Sequence, residues 1–365
     1  MHPLDPIESL LSTPKSRQPM THPPKPQTPE PQRLGLTDLA TDRPARLALL
    51  SNPGSGRNRD GCVAIHRLLD AYPCAAREQA GTPAEIATAL ARLAQHEPEI
   101  LVINGGDGTV AATLTSLFND RPLEPLPLLA LLCGGTTNMT AADAGMKGRA
   151  RRALARLLAW ARNPAPHAPC VRRPVLRVQV GEDGRPLYGM FFGTGAIIKG
   201  IEFCHRKVLR RGLRDGLGPG LCMLRVLFAL LRGDRRYVAP VSLTVATAPS
   251  LEAAPGDGEY FILLASTLER LFLGLRPYWG RRDGGLYCSA IRANPHRPLR
   301  AIPSLLWGRP GRHARPEHGY WSGKLEELAL TLEGTFTIDG ELYPLQGTGG
   351  PLRISHTRPL TFLRF

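Results

Sequence analysis

Ile100-Leu101-Val102-Ile103-Asn104-Gly105-Gly106-Asp107-Gly108-Thr109 is the stretch that decides the fold. Its four leading apolar residues offer no polar face, which suits a strand buried on both sides rather than one half open to water. The Gly-rich run that stops them allows a tight backbone turn. A helix is then predicted from about 109 to 118. The same unit occurs twice more. Arg46 to Leu50 runs into Ser51-Asn52-Pro53-Gly54-Ser55-Gly56 and a helix-period stretch carrying Val63, Ile65, Leu68 and Leu69. Leu128 to Cys133 runs into Gly134-Gly135-Thr136-Thr137-Asn138, with a helix expected over 148–162. Between the first two units, Thr82-Pro83-Ala84-Glu85 forms a capping box that opens a helix to about Gln95. Doubly buried strands alternating with helices predict a parallel sheet covered on both faces. Ligands of such sheets sit beyond the carboxyl ends of the strands, where all three Gly turns fall.

Outward from this core the pattern changes. Residues 1–43 are rich in Pro, lack apolar periodicity and are expected to be disordered. Beyond about 170, short alternating segments dominate: 175–180, 187–193, 241–247, 259–266, 286–292, 328–338 and 341–345. Gly, Pro and charged turns separate them, as in an antiparallel β-rich domain. The expected division is therefore an α/β domain over 44–167, a β-rich domain over 168–358, and a strand over 359–365 that can rejoin the first domain.

Composition narrows the function. Lys and Arg number 46 against 31 Asp and Glu, a formal charge of +15, which calls for an anionic partner. Apolar runs such as Val226 to Leu231 fall far short of the roughly 20 residues that span a bilayer. The polar, Pro-rich start is not read as a secretory leader. Seven cysteines with no CxxC pair argue against a disulfide scaffold or zinc ribbon and for a reducing cytoplasm. No nucleic-acid motif accompanies the basic segments, and they carry few aromatics for base stacking, so nucleic acid is set aside.

Gly-rich turns between strand and helix let a phosphate approach the backbone closely. Neither GxxxxGK[ST] nor GxGxxG occurs at these turns, so the phosphate site is of another type. Asp107 adds a carboxylate where Mg²⁺ or an attacking hydroxyl would need one.

Together, Asn52-Pro53-x-Ser55-Gly56, Gly105-Gly106-Asp107-Gly108-Thr109, Gly135-Thr136-x-Asn138 and the late Asp339-Gly340-Glu341 resemble the diacylglycerol kinase catalytic domain family. That superfamily also holds sphingosine and ceramide kinases and, more distantly, NAD kinases and phosphofructokinases. The resemblance covers about residues 45–365. It implies a three-layer α/β domain followed by an antiparallel β-rich domain, ATP and Mg²⁺ between them, and a lipid hydroxyl as acceptor. The Gly turns with Ser55, Thr109, Thr136 and Thr137 would hold the nucleotide. Asp107 would position metal or acceptor, and Asp283-Gly284 matches the family's structural Mg²⁺ turn. If 339–341 is extended, Asp339 and Glu341 share a side. One could then orient the acceptor and the other take its proton; the resemblance favours Glu341 as base, with Asp107 as rival.

The chain departs from the family in two places. Ala111 and Ala112 stand where an Asn-Glu pair is usual, and Met139 where many members have Asp. Diacylglycerol is the default acceptor, with ceramide or a sphingoid base as alternatives. A catalytically weak lipid- or nucleotide-binding protein is the competing class. An NAD kinase would be expected to keep the Asn-Glu pair. Residues 205–237 carry net +7 interleaved with apolar side chains, which suits docking on an anionic membrane. The expected setting is thus the cytoplasm with peripheral attachment to the inner membrane face, and a homodimer is allowed.

Overall fold

The three apolar segments are neighbours in one sheet. The computed structural model describes residues 30–58, 62–165, 167–203, 240–246, 255–280, 285–345 and 351–365. Strands β1 (Leu47–Ser51), β2 (Ala75–Gln79), β3 (Ile100–Gly105) and β4 (Leu128–Cys133) pair in parallel in the order β2-β1-β3-β4. Beyond β4 lie the C-terminal strand β17 (Leu360–Leu363), also parallel, and β5 (Cys170–Arg173), antiparallel to β17. Alternate residues of each strand serve opposite faces. Ala48, Leu50, Leu101, Ile103, Leu129 and Leu131 pack with helices α2 (Pro83–Ala94) and α3 (Asp107–Asn119). Leu47, Leu49, Ile100, Val102, Leu128 and Ala130 pack with α1 (Cys62–Asp70) and α5 (Ala150–Ala161). Each fully buried Leu contributes about 2 kcal/mol, so both faces need covering and three layers result.

The capping box behaves as expected: the Glu85 N–H donates to Thr82 Oγ1 at 3.3 Å, and Glu85 Oε2 accepts the Thr82 N–H at 3.2 Å. The helix-period stretch is α1, with Ile65 and Leu69 as its buried stripe and Val63 62% exposed. One expectation is corrected. Order begins before residue 44: Arg33 bridges to Leu126, and Leu39 is buried against the α1/α5 side of the sheet. Main-chain bonds to Leu126 and one inserted Leu anchor this segment, which has no periodic pattern to betray it.

Sheet membership also runs past the expected boundary at 167, because β5 belongs to the first sheet. The second sheet starts at β6 (Leu176–Val180) and continues through β7 (Leu187–Gly189), β8 (Phe191–Gly195), β9 (Val241–Ala246) and β10 (Gly258–Ser266). It is completed by β11 (Leu286–Arg292), β12 (Tyr320–Leu325), β13 (Glu327–Leu332), β14 (Thr335–Ile338), β15 (Glu341–Pro344) and β16 (Leu352–His356). Its order is β15-β14-β8-β10-β9-β13-β16-β6-β7, with β11 and β12 continuing from β10, and every pairing is antiparallel. The expected strands 187–193 and 328–338 are each broken in two, at Met190 and at Glu333-Gly334. Gly334 turns the chain with φ of 114°, a conformation a side chain resists. Helices α4 (Met139–Ala144), α6 (Ala196–Phe203) and α7 (Pro298–Trp307) fill out the chain.

Helix α3 joins the two sheets. Thr115 Oγ1 accepts the Tyr188 N–H at 3.0 Å and donates to the Tyr188 carbonyl at 3.2 Å, and Phe118 stacks on the Tyr188 ring. Val175, Tyr188, Met190, Leu264 and Leu268 extend the same apolar core from the second sheet. The helix that starts at Asp107 is therefore clamped on both sides.

Candidate functional site

The first Gly turn is tied to the second by side chains. Asn52 Oδ1 accepts the Gly54 N–H at 2.8 Å while its Nδ2 donates to Thr109 Oγ1 at 2.9 Å. Ser55 Oγ accepts the Gly106 N–H at 3.2 Å. Asn58, overlooked in the sequence, is buried and donates from Nδ2 to the carbonyls of Asn52 and Asn104, each at 2.9 Å. It closes the first turn as a polar staple.

The second and third turns meet backbone to backbone. A Cβ on Gly135 would lie 2.4 Å from Gly106 Cα, so any side chain there would force the turns apart. Asn138 takes a left-handed conformation, φ 50°, and its Oδ1 accepts the Gly135 N–H at 2.7 Å. These residues shape the floor from within.

Asp107 is the first residue of α3 rather than part of the preceding turn. Its buried carboxylate accepts the N–H groups of Met139 at 2.9 Å and Thr140 at 2.8 Å, so it caps α4. Here the backbone of Met139 makes the polar contact, and its side chain packs into the core. Burial pushes the Asp107 carboxyl above the usual carboxylate range against these bonds. The far end of α4 is held too: Asp143 accepts from Arg173 Nε at 2.9 Å, and Arg173 also pairs with Glu269 at 3.0 Å.

The segment 339–341 is not extended, which corrects the geometry expected for its carboxylates. Asp339 (φ 50°) and Gly340 (φ 94°) form a two-residue turn between β14 and β15, as Asp-Gly favours. The turn sends the two side chains to different places. Asp339 is buried; its Oδ2 accepts the Met190 N–H at 2.9 Å, and its Oδ1 has no partner. Gly189 makes the room, because a Cβ there would lie 2.6 Å from Asp339 Oδ2. Burial, and then the charge of Asp107, push the Asp339 carboxyl well up. Glu341 is exposed and lies over the start of α3: a Cβ on Gly108 would be 2.8 Å from its Oε1.

These parts surround one cavity of about 910 Å³. Asn52, Ser55, Gly56, Gly106, Gly108, Thr109, Gly135, Thr136 and Glu341 line it, along with Ala111 and Ala112. Gly105, Asp107, Asn138 and Asp339 stand behind that wall, and Thr137 is exposed outside it. Asp283 lies outside the described residues, as does the basic stretch 205–237. The first-turn N–H groups of α3 lack intrahelical partners, which suits an anion.

The inner carboxylates leave one acceptor open. The partnerless Asp339 Oδ1, buried beside Asp107, is an acceptor that a cation or proton would satisfy. Among the described residues no group of three or more His, Cys, Asp or Glu is arranged to hold a metal. A cation there would draw its other ligands from phosphate and water, as Mg²⁺ ordinarily does.

The profile of the diacylglycerol kinase catalytic domain matches residues 46–167, which upholds the resemblance read from the Gly turns. A solved diacylglycerol kinase of Bacillus anthracis is 16% identical with a TM-score of 0.54, covering 87% of this chain and 96% of its own. A candidate diacylglycerol kinase of the same organism is 18% identical with a TM-score of 0.57, covering 88% and 98%. At that identity the likeness establishes the fold: a parallel-sheet α/β half and an antiparallel β-rich half, as the sequence predicts. No curated protein matches the chain.

Proposed function

We propose, on the premise of the diacylglycerol kinase catalytic domain match over residues 46–167, that this protein is an ATP- and Mg²⁺-dependent lipid kinase. Its default acceptor is diacylglycerol, with ceramide or a sphingoid base as the alternative. The observation that carries this reading is the Glu341 carboxylate, exposed to the cavity and poised above the N-terminus of α3. A phosphate at that helix start and a hydroxyl beside Glu341 would share one space.

The residues divide the work. The Gly turns and the hydroxyls of Ser55, Thr109 and Thr136 hold the nucleotide phosphates. Glu341 takes the proton of the acceptor hydroxyl as its oxygen bonds to the γ-phosphorus, and the bridging P–O bond to ADP breaks. Asp107 is already committed to two N–H groups, so its role is to hold α4 and the cavity floor. Asp107 and Asp339 would hold Mg²⁺, which would neutralise phosphate charge.

A weak nucleotide- or lipid-binding protein is the second reading, favoured by Ala111 and Ala112 on the cavity wall. One assay separates the two. Radiolabelled ATP with Mg²⁺ is offered with detergent-dispersed diacylglycerol, ceramide or sphingosine. Label should enter a lipid, and Glu341→Gln should lower the rate about 10²–10⁴-fold. Label in no lipid, or equal labelling by both proteins, overturns the kinase.

A further inference from the structure

Helix α7, which the sequence pattern did not anticipate, turns its apolar side outward. Leu299 is 63% and Trp307 58% exposed, and Pro303 between them is also exposed. Spaced four apart, the three form one stripe. Ala301 and Ser304 on the other side are buried. The helix is firmly seated: the Arg276 N–H donates to the Leu306 carbonyl at 3.0 Å, and Gly308 ends the helix with φ of 64°. A Cβ on Gly308 would lie 2.6 Å from the carbonyls of Arg276 and Tyr278, so side chains cannot intervene there. Three residues before Arg276, Leu273 is a further exposed apolar tip at 68%.

Positive charge surrounds the stripe. Arg297, Arg300, Arg309, Arg312 and Arg315 lie in and around α7, and Glu317 is the single acid between 292 and 318. Glu317 sits beside Arg315 at 3.7 Å, and no carboxylate among the described residues pairs with the other four. Their fields converge on His313, whose pKa is pushed down by partial burial and by Arg312, Arg300, Arg297 and His318. Exposed Leu, Trp at the end of the stripe and a rim of Arg with a single carboxylate partner among the described residues match the two layers of a membrane interface, apolar below and anionic above. A second copy fits poorly, because a two-fold contact would set these arginines against one another.

We propose that the outer face of α7 docks on an anionic lipid bilayer, with Leu299, Pro303 and Trp307 entering the headgroup boundary and the surrounding arginines meeting lipid phosphates. Its residues are distinct in sequence from the basic stretch 205–237. It deepens the reading of a bilayer-held acceptor, and docking can be read without ATP.

Flotation of the full chain with vesicles tests it, using phosphatidylcholine alone and phosphatidylcholine with about a third phosphatidylglycerol. The protein should float with the anionic vesicles and be released by salt. Leu299→Glu combined with Trp307→Glu should weaken vesicle binding at least about tenfold. That variant should keep its melting temperature and its rate on detergent-dispersed acceptor. Arg300→Gln with Arg312→Gln should remove the preference for anionic over neutral vesicles. Wild type that does not float, or a Glu variant that floats equally, overturns the proposal. So does a Glu variant that turns a dimer into a monomer in gel filtration without changing flotation, since the face would then bind a second copy. Flotation as expected without phosphorylation of any lipid would sink the kinase reading and leave the docking face standing.

Discussion

The two ends of β3 carry buried carboxylates whose pKa values move in opposite directions. Glu99, just before the strand, accepts both guanidinium arms of Arg43 at 3.0 and 2.7 Å and the Arg46 N–H at 2.8 Å. Burial alone would raise its pKa, yet those bonds win and hold it below the usual range. Asp107, just after the strand, is held by the backbone N–H groups of Met139 and Thr140 with Asp339 nearby, and burial raises both of these carboxyls. A carboxylate paired with arginine stabilises the fold as an ion; one whose pKa burial raises holds a proton more readily. The carboxyl edge of the sheet is therefore where chemistry is expected.

Substituting both ends of β3 would break or sharpen this contrast. Of the changes at the ends of β3, the larger effect on kcat should come from Asp107→Asn. Its amide would turn an N–H toward the N–H of Met139 or Thr140 and loosen α4, lowering kcat about a hundredfold in the lipid assay. Glu99→Gln should leave kcat/KM unchanged; an equal loss there would erase the distinction between the two ends.

Gly108→Ala comes next. Alanine suits a helix, so the melting temperature should hold or rise. Its methyl would displace Glu341, however, and kcat should fall about tenfold. Unchanged kcat would remove Glu341 from its assigned place.

Glu99→Gln should cost about 1–3 kcal/mol in denaturant unfolding near pH 7, because the arginine contacts lose their charged acceptor. The folded pKa of Glu99 is depressed. Its stabilisation is thus present above the unfolded value of 4.5 and lost as pH falls through the lower folded value.

The smallest effect has the opposite sign. Asp339 holds its proton more tightly when folded, so its stabilisation is whole below the unfolded value of 3.8 and lost as pH rises through the raised value. Asp339→Asn keeps an acceptor for the Met190 N–H. In thermal melts with chelator it should match wild type in acid and become the more stable protein as pH rises. Parallel pH curves would refute the raised pKa.

Much of the α/β half was legible because its burial is two-sided and local: Leu47 to Leu50, Ile100 to Ile103 and Leu128 to Leu132 each announce a doubly covered strand. Strand β2, Ala75-Ala76-Arg77-Glu78-Gln79, was not legible, since an edge strand needs few apolar residues. Asn58 and Gly189 also escaped notice. One is a lone Asn in a polar turn, and the other matters only because Asp339, distant in sequence, packs against it.

By itself the sequence determined the three strand-turn-helix units, the edge where their glycines gather and the chemistry those glycines allow, because backbone freedom and hydrophobic period are local properties. Only the tertiary structure decided where each carboxylate sits. The Asp339-Gly340 turn, held by Met190 and by α3 packed on Tyr188, buries Asp339 beside Asp107 and leaves Glu341 facing the cavity. Burial and neighbouring charge govern a carboxylate's task, and both arise from contacts between residues far apart in the chain.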